Sequence, residues 1–231
     1  PVAGSHALDL EVAGWRVTGQ VEKVFPVAVD GVTQWQLLRP FPGRKGKLKA
    51  ESELSFKDRV PLFLDWALLR LHTARALAAE APPIRLRALV ADDEPRWQDG
   101  INGWDAGFMA ALPGMRVTLL ADLERRVGRL LQWWHAAQSV PRWYFPKAAW
   151  KTLEGELYPK GDKPQAISVG QVWVAAHDGG GERSYAPGYS QLLAGDVDFA
   201  DGSPELAALH AFAQQLHACI SFDAELGEAA R

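Results

Sequence analysis

The stretch from Trp15 to Phe41 limits the fold of this chain more than any other. Val17, Gly19, Val21 and Lys23 fall on one side of an extended backbone, and Arg16, Thr18, Gln20 and Glu22 fall on the other. After Asp30-Gly31, the run Val-Thr-Gln-Trp-Gln-Leu-Leu at 32–38 keeps the β-branched and aromatic composition. Period-two alternation around an Asp-Gly break predicts two strands of one hairpin. The second strand closes on Arg39-Pro40-Phe41, without a carboxylate or a lysine at its end.

The remaining elements follow from periodicity and punctuation. Leu8, Leu10 and Val12 alternate with Asp9 and Glu11, which predicts an opening strand broken at Gly14. Leu62, Trp66, Leu69 and Thr73 repeat at helical spacing. They predict a helix over 58–79, with Asp58 as its N-cap, Pro61 in its first turn and Pro82-Pro83 beyond its end. Ile84 to Val90 reads as a strand, the Gly-rich run 97–112 as a connection, and Arg116 to Leu119 as a short strand. A helix over 122–138 would turn Leu123, Val127, Leu130, Leu131 and Trp134 inward. Neighbouring helical side chains diverge by about 100°, so Trp133 and Trp134 cannot share one core. One of them is expected to meet another segment or a partner. Farther on, helices are expected from Lys147, over 165–176, over 187–193, and over 204–220 behind a Ser203 cap, with a flexible turn at 177–182.

Charge and composition narrow the chemistry. The net charge of −3 gives no global attraction to nucleic acid, so any such binding needs a local basic patch. The densest cluster is Arg44, Lys45, Lys47 and Lys49 on a Gly- and Pro-containing loop, able to grip phosphates through charge and backbone N–H groups. Arg142 and Trp143 lie in a run that interleaves aromatic and basic residues. That run can stack unpaired bases or form a proline-bounded core strand, and burial of large aromatics favours the core. Asp92-Asp93-Glu94 follows a strand end, where carboxylates can hold a metal, although three acids in a turn are more often solvated. His72 on the long helix reads as a packing residue. No P-loop or nucleophile elbow is present. His210 and His217 lack a helper carboxylate at ligand spacing, and 196–202 fits a helix N-terminus better than a calcium loop. No metal site is assigned. The single cysteine, Cys219, excludes an intrachain disulfide and fits a cytoplasmic location. No apolar run approaches the roughly 20 residues of a membrane span. The 231 residues suit one large α/β domain or two small ones, and the absence of an initiator Met suggests a segment of a longer polypeptide.

Three blocks in order carry a resemblance. They are Gly14-Trp15-Arg16-Val17-Thr18-Gly19 with the helix after Phe56, Tyr144-Phe145-Pro146-Lys147-Ala148-Ala149-Trp150, and Gly181-Glu182 followed by Tyr185 to Leu193 and the last helix. Together they resemble the C-terminal domain of exodeoxyribonuclease V gamma chains (RecC), over nearly the whole chain. The resemblance implies a restriction-endonuclease-like α/β fold of the PD-(D/E)xK type, with a degenerate active site and additional helices. It implies one domain, with first strands and long helix in 1–95, an insertion loop in 96–115 and a helical remainder in 116–231. Active relatives carry Gly-x-x-Asp on one strand and Asp-x-Lys on the next. The degenerate counterparts here are Glu22, then Arg39 and Phe41. A cation at a ligand position repels Mg²⁺, and no lysine remains to orient a water.

The implied role is a non-catalytic part of a bacterial helicase–nuclease in double-strand break repair by homologous recombination. The alpha and beta chains (RecD and RecB) would be its partners, together with single-stranded DNA, and ATP and Mg²⁺ would be used by those subunits and not by this domain. Arg44, Lys45, Lys47, Lys49, Arg142 and Trp143 are the expected DNA contacts, and Trp133 and Trp134 the expected docking contacts. The alternative is a residual metal-dependent nuclease using Glu22 with Asp92 or Asp93.

Overall fold

The computed structural model describes residues 4–41, 48, 51–77, 81–90, 96–99, 103–140, 142–157, 168–176, 179–185, 197 and 199–222. The chain divides into two compact units. The first comprises Pro1–Leu54, Asp58–Trp133 and Ile220–Arg231; the second comprises Ser55–Lys57 and Trp134–Cys219. These limits do not coincide with the segments 1–95, 96–115 and 116–231 expected from sequence.

The first unit opens with two consecutive hairpins. Strands β1 (Ser5–Val12) and β2 (Trp15–Glu22) pair antiparallel around Ala13-Gly14, with Leu10 opposite Val17. Strands β3 (Val24–Val29) and β4 (Val32–Phe41) pair around Asp30-Gly31. Both two-residue turns have positive φ at each position, 48° and 82° in the first and 51° and 79° in the second. That geometry matches the twist of the strands it joins. The single hairpin expected over 15–41 is therefore corrected. Lys23, at φ 59°, breaks the first strand, and β2 pairs backward with β1. Ala13 is an unusual residue at such a turn, so the sequence does not announce it.

A four-stranded sheet follows in the order β3-β4-β5-β6. β5 (Ile84–Val90) runs parallel to β4, and β6 (Arg96–Asp99) runs antiparallel to β5. Parallel neighbours need a long crossover, and helix α1 (Phe56–Leu77) supplies it. Leu62, Trp66, Leu69 and Thr73 are all buried on α1, as their spacing predicts. Ile84, Leu86, Ala88 and Val90 are buried on one side of β5, while Arg85 is exposed on the other.

Two expectations in the next stretch are overturned. The run 97–112 is not an insertion loop: it holds β6 and helix α2 (Gly103–Ala110). Its glycines argued against regular structure, yet Trp104 and Phe108 stand four residues apart and both are buried. The short strand expected at 116–119 lies inside helix α3 (Pro113–Ala137). Leu123 and Val127 of α3 face inward as expected, but Trp134 is 60% exposed and Trp133 is half-buried. Ala13 N–H donates to Glu124 of α3 at 3.0 Å, and a Cβ on Gly128 would collide with that of Ala13. A close approach of α3 thus holds the first turn.

The second unit contains α4 (Pro146–Leu157), α5 (Val169–Val174), the short ladder of β7 (Ala175–Ala176) and β8 (Gly179–Gly180), α6 (Glu182–Tyr185) and most of α7 (Pro204–Ile220). The helix expected over 165–176 is shorter than predicted because the chain turns extended at Ala175. The helix over 204–220 forms with the expected bounds, and Ser203 Oγ accepts Leu206 N–H at 3.1 Å. The helix expected over 187–193 lies outside the described residues. Among the described residues, no helix is long and apolar enough to cross a membrane.

Candidate functional site: the end of strand β4

Strand β4 delivers Arg39 and Phe41 to the same face of the sheet, two residues apart. Phe41 is 7% exposed and pairs across the parallel ladder with Val90, itself fully buried. The ring is core. Arg39 forms an ion pair with Asp65 of α1, and both side chains are about a quarter exposed, 24% each. Desolvation pulls the Arg39 pKa below its usual value, and the charge of Glu22 opposes that shift. The guanidinium therefore lies under the influence of two carboxylates, Glu22 at the end of β2 and Asp65 on α1. A divalent cation does not fit this donor set, because the position already carries a positive charge. Among the described residues, no three His, Cys, Asp or Glu side chains converge as metal ligands.

A buried network lies behind this edge, one that sequence reasoning missed. Asp105 of α2 accepts from Trp66 Nε1 at 2.9 Å, from Arg70 Nε at 3.1 Å and Nη2 at 2.5 Å, and from the Ile84 backbone N–H at 2.8 Å. The Arg70 side chain is 0% exposed and that of Asp105 5%. Arg70 Cζ also sits 4.8 Å from the Phe108 ring centroid. One carboxylate thus ties α1, α2 and the start of β5 together. The available signal was Asp105 between Trp104 and Phe108 at helical spacing. Reading that run as a connection hid it.

Two further contacts place residues singled out in the sequence. His72 packs its ring 4.7 Å from that of His6, which lies 5.1 Å from Trp35, all as edge contacts. Burial pushes the His6 pKa down, and the charge of His72 adds to that effect. In the second unit, Glu182 is buried and accepts from the N–H groups of Lys147 and Ala148 at 3.0 and 2.9 Å. The two motifs Pro146-Lys147-Ala148 and Gly181-Glu182 are therefore bonded to each other, as a carboxylate capping the first turn of α4.

The expected binding residues are scattered. Arg44, Lys45, Lys47 and Lys49 lie outside the described residues, as do Asp92 and Asp93. Trp143 is half-buried, 6.3 Å from Phe145 and 6.1 Å from Phe199 between ring centroids, and Phe145 and Phe199 pack against Trp173. Arg142 beside it is exposed. The aromatic run 143–145 thus packs into its unit as burial of large aromatics led one to expect, with Phe145 buried and Trp143 and Tyr144 half-buried, but it does not form the expected strand.

A family model described as the RecC C-terminal domain matches residues 1–156 of the chain. The match covers well over half of the 231 residues. The chain belongs to the RecC C-terminal domain family. No curated protein matches it. RecC family membership implies a part in RecBCD, the exodeoxyribonuclease V assembly, alongside RecB and RecD, and hence in DNA repair. The matched region holds the whole β4 edge, the Asp105 network and nearly all of α4.

Proposed function

We propose that this RecC-family chain is a non-catalytic, restriction-endonuclease-like domain that docks RecB and RecD and guides separated single strands. The observation that carries this reading is the end of β4. Arg39 is ion-paired with Asp65 and Phe41 is core, at the two positions that the resemblance assigns to the metal ligand and the lysine of a nuclease. The mixed sheet, with α1 crossing between parallel β4 and β5, is compatible with such a core. Cleavage, ATP and Mg²⁺ would belong to partner subunits in a cytoplasmic assembly. Exposed Trp134 fits a docking contact. Exposed Arg142 fits a phosphate contact, as does the charge of Arg44, Lys45, Lys47 and Lys49.

The test has two arms. The chain is mixed with RecD and with RecB on a size-exclusion column, with and without single-stranded DNA; co-elution without DNA is expected, and its absence would remove the docking role. Single-stranded DNA binding is then titrated against salt. Neutralising the four loop cations should lower the salt slope by up to about 3, at roughly 0.7 for each phosphate no longer neutralised. An unchanged slope would make that loop ordinary surface. Mg²⁺- or Mn²⁺-dependent cutting abolished by Glu22→Ala would replace this reading with a residual nuclease.

A further inference from the structure

Among the described residues, four strand edges bound the two sheets of the first unit, those of β1, β2, β3 and β6. Three of them are met or blunted. On the outer edge of β1, the Glu11 C=O accepts from the Arg75 guanidinium of α1. β3 carries Pro26, which has no N–H to offer a further strand, and β6 is only four residues long. Edge prolines and short edge strands are devices by which proteins discourage added strands. The edge of β2 has neither. It runs for eight residues without proline, and its only neighbour among the described residues is β1. Arg16 is drawn back across the hairpin to Asp9 at 2.9 Å, and Glu22 stands at the strand's end, so Val17 to Val21 present no charge.

The turn decides which backbone groups are left over. Val12 and Trp15 close a two-residue turn, so that pair exchanges both backbone bonds and the pattern alternates from there. Val17, Gly19 and Val21 bond inward to β1, while Arg16, Thr18 and Gln20 turn N–H and C=O outward. All three outward residues are exposed. Donors and acceptors alternating at strand spacing are matched by another extended backbone. A helix uses its own groups internally, and a DNA backbone offers acceptors only.

Side chains add a second feature. On the inner face, Trp15, Val17, Gly19 and Val21 stand opposite Val12, Leu10, Leu8 and His6. Val12, Leu10, Leu8 and Val21 are buried, Trp15 and Val17 half-buried, and Gly19 exposed. A Cβ at Gly19 would meet nothing within 4 Å, so the row has a gap beside Leu8. The φ of 153° there suits glycine alone, and a larger residue cannot fill the gap from within β2. A side chain on a neighbouring strand can. We infer that β2 is an acceptor edge, to which an extended segment of another subunit adds as a third strand. That segment alternates apolar and polar residues and sets a large apolar side chain opposite Gly19. The inference deepens the docking role proposed above and rests on it.

The experiment follows residue-resolved hydrogen exchange in the chain alone and in its assembly with RecB and RecD. In the free chain, the amides of Arg16, Thr18 and Gln20 should exchange fast while those of Val17, Gly19 and Val21 are protected. Assembly should slow the first three by about tenfold or more, the worth of one backbone bond each, and leave the others protected. A Thr18→Pro variant removes one outward N–H and no bond to β1. Its melt should match the parent, and its affinity for the partner should fall about tenfold or more. Should that variant fold poorly, the exchange pattern of the unsubstituted chain decides alone. Unchanged exchange at all three amides in a formed assembly would overturn the inference, as would protection produced by single-stranded DNA alone. Protection that grows with the concentration of the chain itself, without partners, would make a second copy the occupant and overturn it likewise. If no assembly forms, the docking role falls and this inference with it; an assembly that leaves the three amides open refutes the edge alone.

Discussion

Replacing Asp105 by asparagine is the sharpest test of how the first unit holds together. The substitution keeps shape and volume but removes the charge opposite Arg70, which is 0% exposed. An uncompensated buried charge costs about 3–5 kcal/mol. Geometry adds to this, because every group facing Asp105 is a donor: Trp66 Nε1, Arg70 Nε and Nη2, and the Ile84 N–H. Whichever way the new amide turns, its NH₂ points at a donor, which forfeits a bond worth about 1–3 kcal/mol when left unmade. The total is on the order of 5 kcal/mol, comparable with the whole stability of a small protein, roughly 5–15 kcal/mol. Urea unfolding followed by circular dichroism reads this directly, and Arg70→Met in the same background supplies the cycle. If the charge is the cause, the double variant regains at least half of the loss, since no buried cation remains to be matched. A loss below about 2 kcal/mol, or two penalties that simply add, would refute the account.

Three other outcomes follow from single contacts. His6 has its pKa pushed below 6.5 by burial and by His72, so the folded state favours the neutral ring. The unfolded chain takes up a proton first, and stability present above the unfolded pKa of 6.5 falls as pH drops through it toward the folded value. His6→Phe should flatten the urea midpoint between pH 7.5 and 5.5, and an unaltered slope would place the titrating group elsewhere. Glu182→Ala removes the cap of α4 and should cost about 1–2 kcal/mol, with faster amide exchange at Lys147 and Ala148; protection equal to the parent would argue against the cap. Writing the acid-x-lysine back, as Arg39→Asp with Phe41→Lys, buries an ammonium where a ring is 7% exposed. A cost of about 2–4 kcal/mol lowers the melting temperature by roughly 5–10 °C, with no Mg²⁺-dependent cutting. A stable, cutting variant would contradict the reading of β4.

Much of the fold was legible wherever one periodicity acted alone. Leu62, Trp66, Leu69 and Thr73 marked the inner face of α1, and alternation marked β1 and β5, because burial selects residues by side. Legibility failed where a turn or a bond between distant segments decided the outcome. Ala13 has a positive φ at a turn against which α3 packs at Gly128, more than a hundred residues later. Gly103 and Gly107 disguised α2, and Trp134 was assigned inward from a spacing that Trp133 shared equally. For the candidate site, Arg39 and Phe41 could be named from sequence, since their contrast with the acid-x-lysine that the resemblance leads one to expect is a matter of residue type. Their partners could not. Asp65 and Glu22 reach Arg39 only through the packing of α1 and the end of β2.

Those partners bear on how the end of β4 is held. Two carboxylates near a half-buried strand end repel each other unless a cation stands close, and in a nuclease that cation is a metal. Here Arg39 provides the charge from within the chain, so the edge stays neutralised whether or not Mg²⁺ is present. Phe41 adds apolar burial beside it. Burying a Phe side chain is worth about 1.5–3 kcal/mol, whereas a lysine there would oppose folding. The same two residues therefore stabilise this end of the sheet from within the chain. Under the proposed docking role, a strand end held in this way would give the sheet a rigid edge without a bound metal, and its surface would answer to contact with neighbours.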